Sequence, residues 1–214
     1  MENVQEAVIK LKRFGTAIIL AGGRSSRMGF DKQLLKLRER GLMENLIRKL
    51  RVSFDEIVVV TSKPELYIGL ADMITGDIIP DMGPLSGIHA GLLHASSKYS
   101  YVIACDMPQM NKDYISYMMD RLGEKDSKAC ITRYGDWIEP FNAFYNRELA
   151  EPIEDFLRDG GKAVHRLLQN FDVDYVPEVT AREFSPDWGM FFNINTREDL
   201  SRYIEAGGHI EFKE

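Results

Sequence analysis

The sequence predicts an α/β protein: a mostly parallel sheet covered by helices, in the three-layer, Rossmann-like manner. Two observations lead there. Short, continuous apolar runs end abruptly in glycine, proline or aspartate, as strands buried on both faces do. Between those runs lie longer segments whose apolar residues recur at helical spacing, and this alternation of strand and helix is the signature of a parallel sheet.

The elements follow in order. Val4, Val8 and Leu11 share one helical face, predicting a short N-terminal helix over residues 4–11. Thr16 to Leu20 is an apolar run that stops at Ala21-Gly22-Gly23, the first strand. Gln33 to Leu50 carries Leu42, Leu46 and Leu50 at helical intervals, and Ile57 to Val60 is β-branched enough to be the second strand. A third, weaker strand closes on Ile78-Ile79-Pro80, after which Pro84 to Leu93 opens on a loop and becomes a helix. Tyr101 to Cys105 is a further buried strand, stopped by Asp106-Met107-Pro108. Beyond it the pattern predicts a helix over 112–122, strands over 129–133 and 141–145, helices over 148–157 and 163–170, a strand over 172–176 and a helix over 197–206. No long linker, repeat or low-complexity tract interrupts the series, so a single domain over 1–214 is expected.

Composition narrows the function. The 214 residues hold 27 Lys and Arg against 33 Asp and Glu, a formal charge of −6 that disfavours nonspecific attraction to nucleic acid or anionic membranes. Cys105 and Cys130 form no CxxC pair, so neither a disulfide framework nor a cysteine zinc site is expected, and a reducing cytoplasm fits. No apolar run has membrane-spanning length, and the first residues lack the apolar stretch of a signal peptide. His89 and His94 are not an i, i+4 pair, and Ser86 lacks the GxSxG elbow, so zinc and hydrolase chemistry are not indicated.

The most informative segment runs from Leu20 to Lys32, LAGGRSSRMGFDK. Adjacent glycines after a buried strand permit positive φ and leave backbone N–H groups uncovered, and Arg24, Arg27 and Lys32 follow. Oriented N–H groups, guanidinium forks and a mobile lysine are the parts of a polyphosphate cradle. The spacing fits neither a Walker A loop nor GxGxxG, which disfavours an ATPase or a dehydrogenase. Asp106 directly follows a buried strand, where ligands of open α/β sheets collect.

LAGGRSSRMGFDK resembles the signature loop of nucleotidyltransferases acting on phosphorylated acceptors, and its LAGG opening resembles the molybdenum cofactor guanylyltransferases. Asp81-Met-Gly-Pro-Leu-Ser-Gly87 is similar to the family's GPLxG loop, Cys105-Asp106-Met107-Pro108 to its strand-end metal aspartate, and Phe192-Asn193-Ile194-Asn195-Thr196 to its late NxNT segment. The resemblance implies the Rossmann-like nucleotidyltransferase fold, with a nucleotide-binding part over about 14–110 and an acceptor-binding part over about 111–214. It implies transfer of GMP from GTP to the terminal phosphate of molybdenum-bearing molybdopterin, with Mg2+, and transient contacts with other cofactor-synthesis proteins and apo-molybdoenzymes.

The same resemblance assigns roles. Leu20, Ala21, Gly22 and Gly23 would hold the nucleoside, Arg27 and Lys32 the triphosphate, and Asp77 the guanine or ribose, with Asp81 competing for that last role. Asp106 would ligate Mg2+, a hard ion that needs only one or two carboxylates. Asn193 and Asn195, alternating with Ile194 across an extended segment, would share one face near the acceptor, while Thr196 and Asp199 form a helix-capping pair. Thr61 and Arg197 depart from the family pattern, which has asparagine and proline there. A cytidylyltransferase for the same pterin, another small-molecule nucleotidyltransferase, and a non-catalytic nucleotide-binding scaffold are the alternatives.

Overall fold

The computed structural model describes residues 12–22 and 32–205; the expected helix over 4–11 lies outside them. Strand β1 (Lys12–Leu20) is followed by helix α1 (Lys32–Leu50), β2 (Glu56–Val60), β3 (Met73–Thr75), α2 (Pro84–His94), β4 (Ser97–Ala104), α3 (Lys112–Lys125), β5 (Ala129–Tyr134) and β6 (Trp137–Asn146). Then come α4 (Ala150–Arg158), α5 (Val164–Leu168), β7 (Val173–Pro177), α6 (Glu178–Phe184) and α7 (Arg197–Glu205).

The seven strands form one sheet in the order β3-β2-β1-β4-β6-β5-β7. All neighbours run parallel except β6, which is antiparallel to both β4 and β5. Ala17, Ile18, Ile19 and Leu20 are all buried, as are Ile57 to Val60 and Tyr101 to Ile103. Successive side chains point to opposite faces, so burial of every one means that both faces are covered, which is why these strands read as unbroken apolar runs. Phe54, Tyr101 and Phe144 pack ring to ring within the same core.

Three elements differ from expectation. The third strand is Met73–Thr75, in register with Val58 to Val60, while Ile78 is exposed and Ile78 to Pro80 lie in bends and turns. A three-residue edge strand makes too short a pattern to read, and proline, lacking an N–H, belongs outside it. Helix α6 follows β7 directly, with Pro177 as its N-cap residue, and has no periodic signal over its short length. Strand β6 begins at Trp137 and accommodates Pro140 by a register shift: Thr132 faces Glu139, but Cys130 faces Phe144. Inside that irregularity Asn142 is buried at a φ of 57°.

Helix α2 lies against β1, β2 and α4. Its approach is close because Gly91 has no side chain: a Cβ there would stand 2.4 Å from Ile18 Cγ2. Gly91→Ala is therefore expected to lower the urea midpoint, costing about 1–3 kcal/mol of overpacking against less than ~1 kcal/mol of helix propensity gained. An unchanged or raised midpoint would contradict this packing.

Parallel pairing brings the carboxyl ends of β1, β2, β3 and β4 to one edge. Ala21 N–H donates to Val60 C=O (2.8 Å), Thr61 N–H to Thr75 C=O (2.8 Å) and Cys105 N–H to Leu20 C=O (3.0 Å). Because β1 has β2 on one side and β4 on the other, the chain reverses its winding between β1 and β4, where open α/β sheets form their binding crevice.

Candidate active site

Ala21 and Gly22 stand at that crevice. Gly22 is exposed, and a Cβ placed on it would meet no atom of the described residues within 4 Å, so none of them covers its backbone. The Ala21 carbonyl accepts from Thr61 Oγ1 (3.1 Å), and the same hydroxyl accepts from Lys63 N–H (3.1 Å). Thr61 thus ties the ends of β1 and β2 together, which gives a structural use to the residue that replaces the family's asparagine. The expectations for Gly23, Arg24 and Arg27 fall outside the described residues; Lys32 is the first residue of α1, and its side chain also lies outside them.

Asp77 follows β3 and reaches the same edge. A Cβ on Gly87 of α2 would lie 3.1 Å from Leu20 Cδ2 and 3.6 Å from Asp77 Oδ1, so this glycine lets Leu20 and Asp77 meet over the helix. Partial burial, reinforced by the charge of Asp81, holds the Asp77 carboxyl above the usual carboxylate range. Asp81 stands at a φ of 62°, and its backbone carbonyl accepts from Lys162 Nζ (3.0 Å). Of the two competing aspartates, Asp77 is the one beside Leu20.

Asp106 lies across the crevice, just past β4. Its Oδ1 is buried with no hydrogen-bond partner among the described residues, and burial raises the carboxyl pKa above the ordinary value. A buried carboxylate oxygen without a partner carries a desolvation cost that a cation would offset. An oxygen donor in this state suits a hard divalent ion, and one carboxylate with phosphate oxygens and waters is a usual donor set for Mg2+.

The Asp106 backbone carbonyl accepts from Ile194 N–H (2.8 Å), so the late segment is fastened directly to the aspartate. It is not a strand of the sheet, yet the alternation holds: Ile194 is buried, while Asn193 and Asn195 are both exposed. Ile194 turns into a small second core with Leu200 and Tyr203, packed on Leu42 of α1 and on Phe192. The capping pair also forms, with Asp199 N–H donating to Thr196 Oγ1 (3.1 Å) and Thr196 N–H to Asp199 Oδ2 (2.9 Å). Asn193 and Asn195 are thereby brought beside Asp106.

From Asn193 and Asn195 a groove of about 580 Å3 runs along Gln109, Asp187, Trp188 and Arg202. Trp188 carries no periodic signal and is not among the expected site residues; the turn-rich Ser185-Pro-Asp-Trp-Gly189 is the trace it leaves in the sequence. Glu139 is likewise absent from that expectation. It is substantially buried, which raises its carboxyl pKa, while a hydrogen bond from the Trp188 side chain opposes that rise.

Residues 17–175 match the MobA-like NTP transferase domain. The chain belongs to that family. A molybdenum cofactor guanylyltransferase from Syntrophotalea carbinolica is 50% identical over 94% of this chain and 95% of its own length. A probable molybdenum cofactor guanylyltransferase from Peptoclostridium acidaminophilum is 52% identical, over 91% of this chain and 90% of its own. Among solved structures, molybdopterin-guanine dinucleotide biosynthesis protein A from Archaeoglobus fulgidus superposes with a TM-score of 0.72 at 29% identity, covering 90% of this chain and 98% of that one. The expected Rossmann-like fold is the fold of this MobA-like transferase, and the chain is a nucleotidyltransferase of the molybdenum cofactor branch. Among the described residues no helix is long and apolar enough to cross a membrane.

Proposed function

We propose that this enzyme transfers GMP from GTP to the terminal phosphate of molybdenum-bearing molybdopterin, giving molybdopterin guanine dinucleotide and pyrophosphate. The observation that carries the reading is the Asp106 oxygen, buried without a hydrogen-bond partner among the described residues, at the same winding reversal of the sheet as the Ala21–Gly22 backbone. The names of the half-identical relatives supply the nucleotide and the acceptor.

In this reading one domain carries both substrates: roughly residues 14–110 hold GTP and 111–214 the acceptor. Leu20, Ala21, Gly22 and Gly23 pack on the nucleoside, and Asp77 accepts hydrogen bonds from guanine or ribose. Arg27 and Lys32 neutralise the triphosphate. Asp106 would hold Mg2+, which supplies charge neutralisation for the pyrophosphate as it leaves. Asn193 and Asn195 orient the acceptor phosphate so that its oxygen attacks the α-phosphorus in line; the new P–O bond forms as the α–β bridge bond breaks, and the electron pair departs with pyrophosphate. A phosphate monoester is largely ionised at neutral pH, so the attacking group needs no general base. A reducing cytoplasm suits two cysteines that form no disulfide, and there transient contacts with other synthesis proteins and apo-molybdoenzymes would receive the product.

Calorimetric titration with GTP, CTP and ATP, each with and without Mg2+, tests the nucleotide. Selective, Mg2+-strengthened binding of GTP is expected. Preference for CTP would move the assignment to the cytidylyl reaction, and no binding would remove Leu20 to Lys32 as a cradle.

A further inference from the structure

Trp188 is half-buried in the acceptor half and sits in the left-handed backbone region. A bulky side chain at a φ of 62° is a backbone outlier, and such conformations persist only where surrounding contacts impose them. Here those contacts are many. The side chain donates to Glu139; the Arg182 guanidinium lies 4.7 Å over the ring; Phe191 and Tyr134 pack at 4.6 Å and 5.7 Å between centroids. The loop beneath is equally fixed: Asp187 Oδ1 accepts from Ser185 Oγ (3.1 Å) and Gly189 N–H (3.0 Å), and Arg182 Nη1 donates to the Pro186 carbonyl (3.0 Å). Gly189 abuts Gln109 so closely that a Cβ would fall 2.4 Å from Gln109 Oε1. From behind, buried Asn142 Nδ2 donates to the Met190 carbonyl (2.8 Å).

Core packing alone does not account for this fixation. Trp188 is only partly buried, and it lines the same 580 Å3 groove as Asn193 and Asn195. The volume is that of a small-molecule site, and its lining is what a flat polar heterocycle needs: an aromatic wall, a carboxylate and a side-chain amide. The geometry points to this groove as the seat of the acceptor's fused pterin rings, with Trp188 as the stacking wall for the flat pyrimidinone and Asp187 and Gln109 as partners of its amide-and-amine edge. Asp187 Oδ2 accepts no hydrogen bond from the described residues, leaving it for the paired N–H donors that a 2-amino-4-oxopyrimidine ring presents. With the ring against Trp188, the acceptor phosphate lies toward Asn193 and Asn195, beside Asp106. Trp188 and Glu139 are then positioning residues for acceptor choice. This assignment rests on the nucleotidyl-transfer reading above and adds where the acceptor ring binds.

The chain has two tryptophans, and Trp137 is 77% exposed at the tip between β5 and β6. Trp137→Phe therefore leaves Trp188 as the lone indole in an otherwise intact protein. Titrated with neopterin monophosphate, this variant is expected to show saturable quenching of Trp188 emission with energy transfer to the pterin. By calorimetry, Trp188→Ala is expected to weaken neopterin monophosphate at least tenfold and leave GTP binding unchanged, while Trp188→Phe stays within threefold of the parent. Absence of saturable quenching, or Trp188→Ala binding the pterin as the parent does, overturns the groove. If Trp188→Ala fails to fold, the quenching experiment still decides, because it keeps Trp188. GTP binding without pterin quenching removes the groove and leaves the nucleotide reading standing; quenching without GTP binding does the reverse.

Discussion

Asp106→Asn is expected to lower turnover by about a thousandfold or more, the scale of losing a group that stabilises charge developing in the transition state. Folding should survive the change and stability should not fall, because the substitution removes a buried carboxylate whose Oδ1 has no partner among the described residues. The pH dependence separates this from a structural role. The native pKa of Asp106 is raised by burial, so the folded protein favours the protonated acid. Its contribution to stability is lost as pH rises from the unfolded carboxylate value through the raised native one, and the asparagine variant should lack that loss. Thermal unfolding of both proteins between about pH 4 and 7, beside a pyrophosphate-release assay, tests the pair of effects. An active Asn variant, or one that unfolds outright, would refute the metal-ligand role.

Arg121→Ala is expected to cost about 2–3 kcal/mol, because it removes two charge-assisted hydrogen bonds from a buried carboxylate and leaves it with the half-exposed Lys125. Asp174 on β7 is 4% exposed; Arg121 of α3 clasps it with Nε and Nη2, each at 2.5 Å, and Lys125 Nζ stands at 2.6 Å. Burial alone pushes the Asp174 carboxyl up, but the hydrogen bonds and charges of Arg121 and Lys125 outweigh it and hold the pKa below normal. This contribution is present above the unfolded pKa and is lost as pH falls through the native one, the opposite of Asp106. Chemical denaturation at neutral and acidic pH should therefore show the variant's deficit shrinking in acid. Replacing Arg121 and Asp174 together with apolar residues should recover much of the loss, since it removes the under-paired buried carboxylate as well. A deficit below about 1 kcal/mol would mean that the pair behaves as an exposed ion pair.

Legibility in the sequence follows the length of each element and whether its signal is local. Strands β1, β2 and β4 are buried on both faces and announce themselves as apolar runs, and the turn residues that end them point to Ala21, Gly22 and Asp106. The Asn193–Asn195 alternation is readable because Ile194 alone turns into a core. Strand β3 lies a few residues earlier than its composition suggests, for its three residues are defined by pairing with β2. Helix α6 is seven residues long, too short for a period to show. Glu139-Pro140 resembles the family's mid-chain acceptor region but reads equally as strand and turn, and Trp188 leaves only a turn-rich stretch, because the two depend on each other across about fifty residues of chain, through a hydrogen bond and a backbone conformation that no spacing encodes. The approach of Leu20 and Asp77 to α2 likewise depends on Gly87, whose missing side chain leaves room for both.

The place of β6 in the sheet has a consequence for the protein's birth. Every strand on the β3-β2-β1-β4 side precedes residue 105, so during synthesis those four can pair while the rest of the chain is still unmade. Until Trp137 to Asn146 emerges, β4 is an outer strand whose unpaired backbone groups and apolar side chains have no cover. An uncovered apolar strand is a template for another chain, so the interval between the making of β4 and of β6 is when the nascent enzyme is most open to aggregation. Insertion of β6 closes that edge and, through Asn142 within it, reaches the carbonyl of Met190. The strand that ends this vulnerable interval also anchors the loop that shapes the groove.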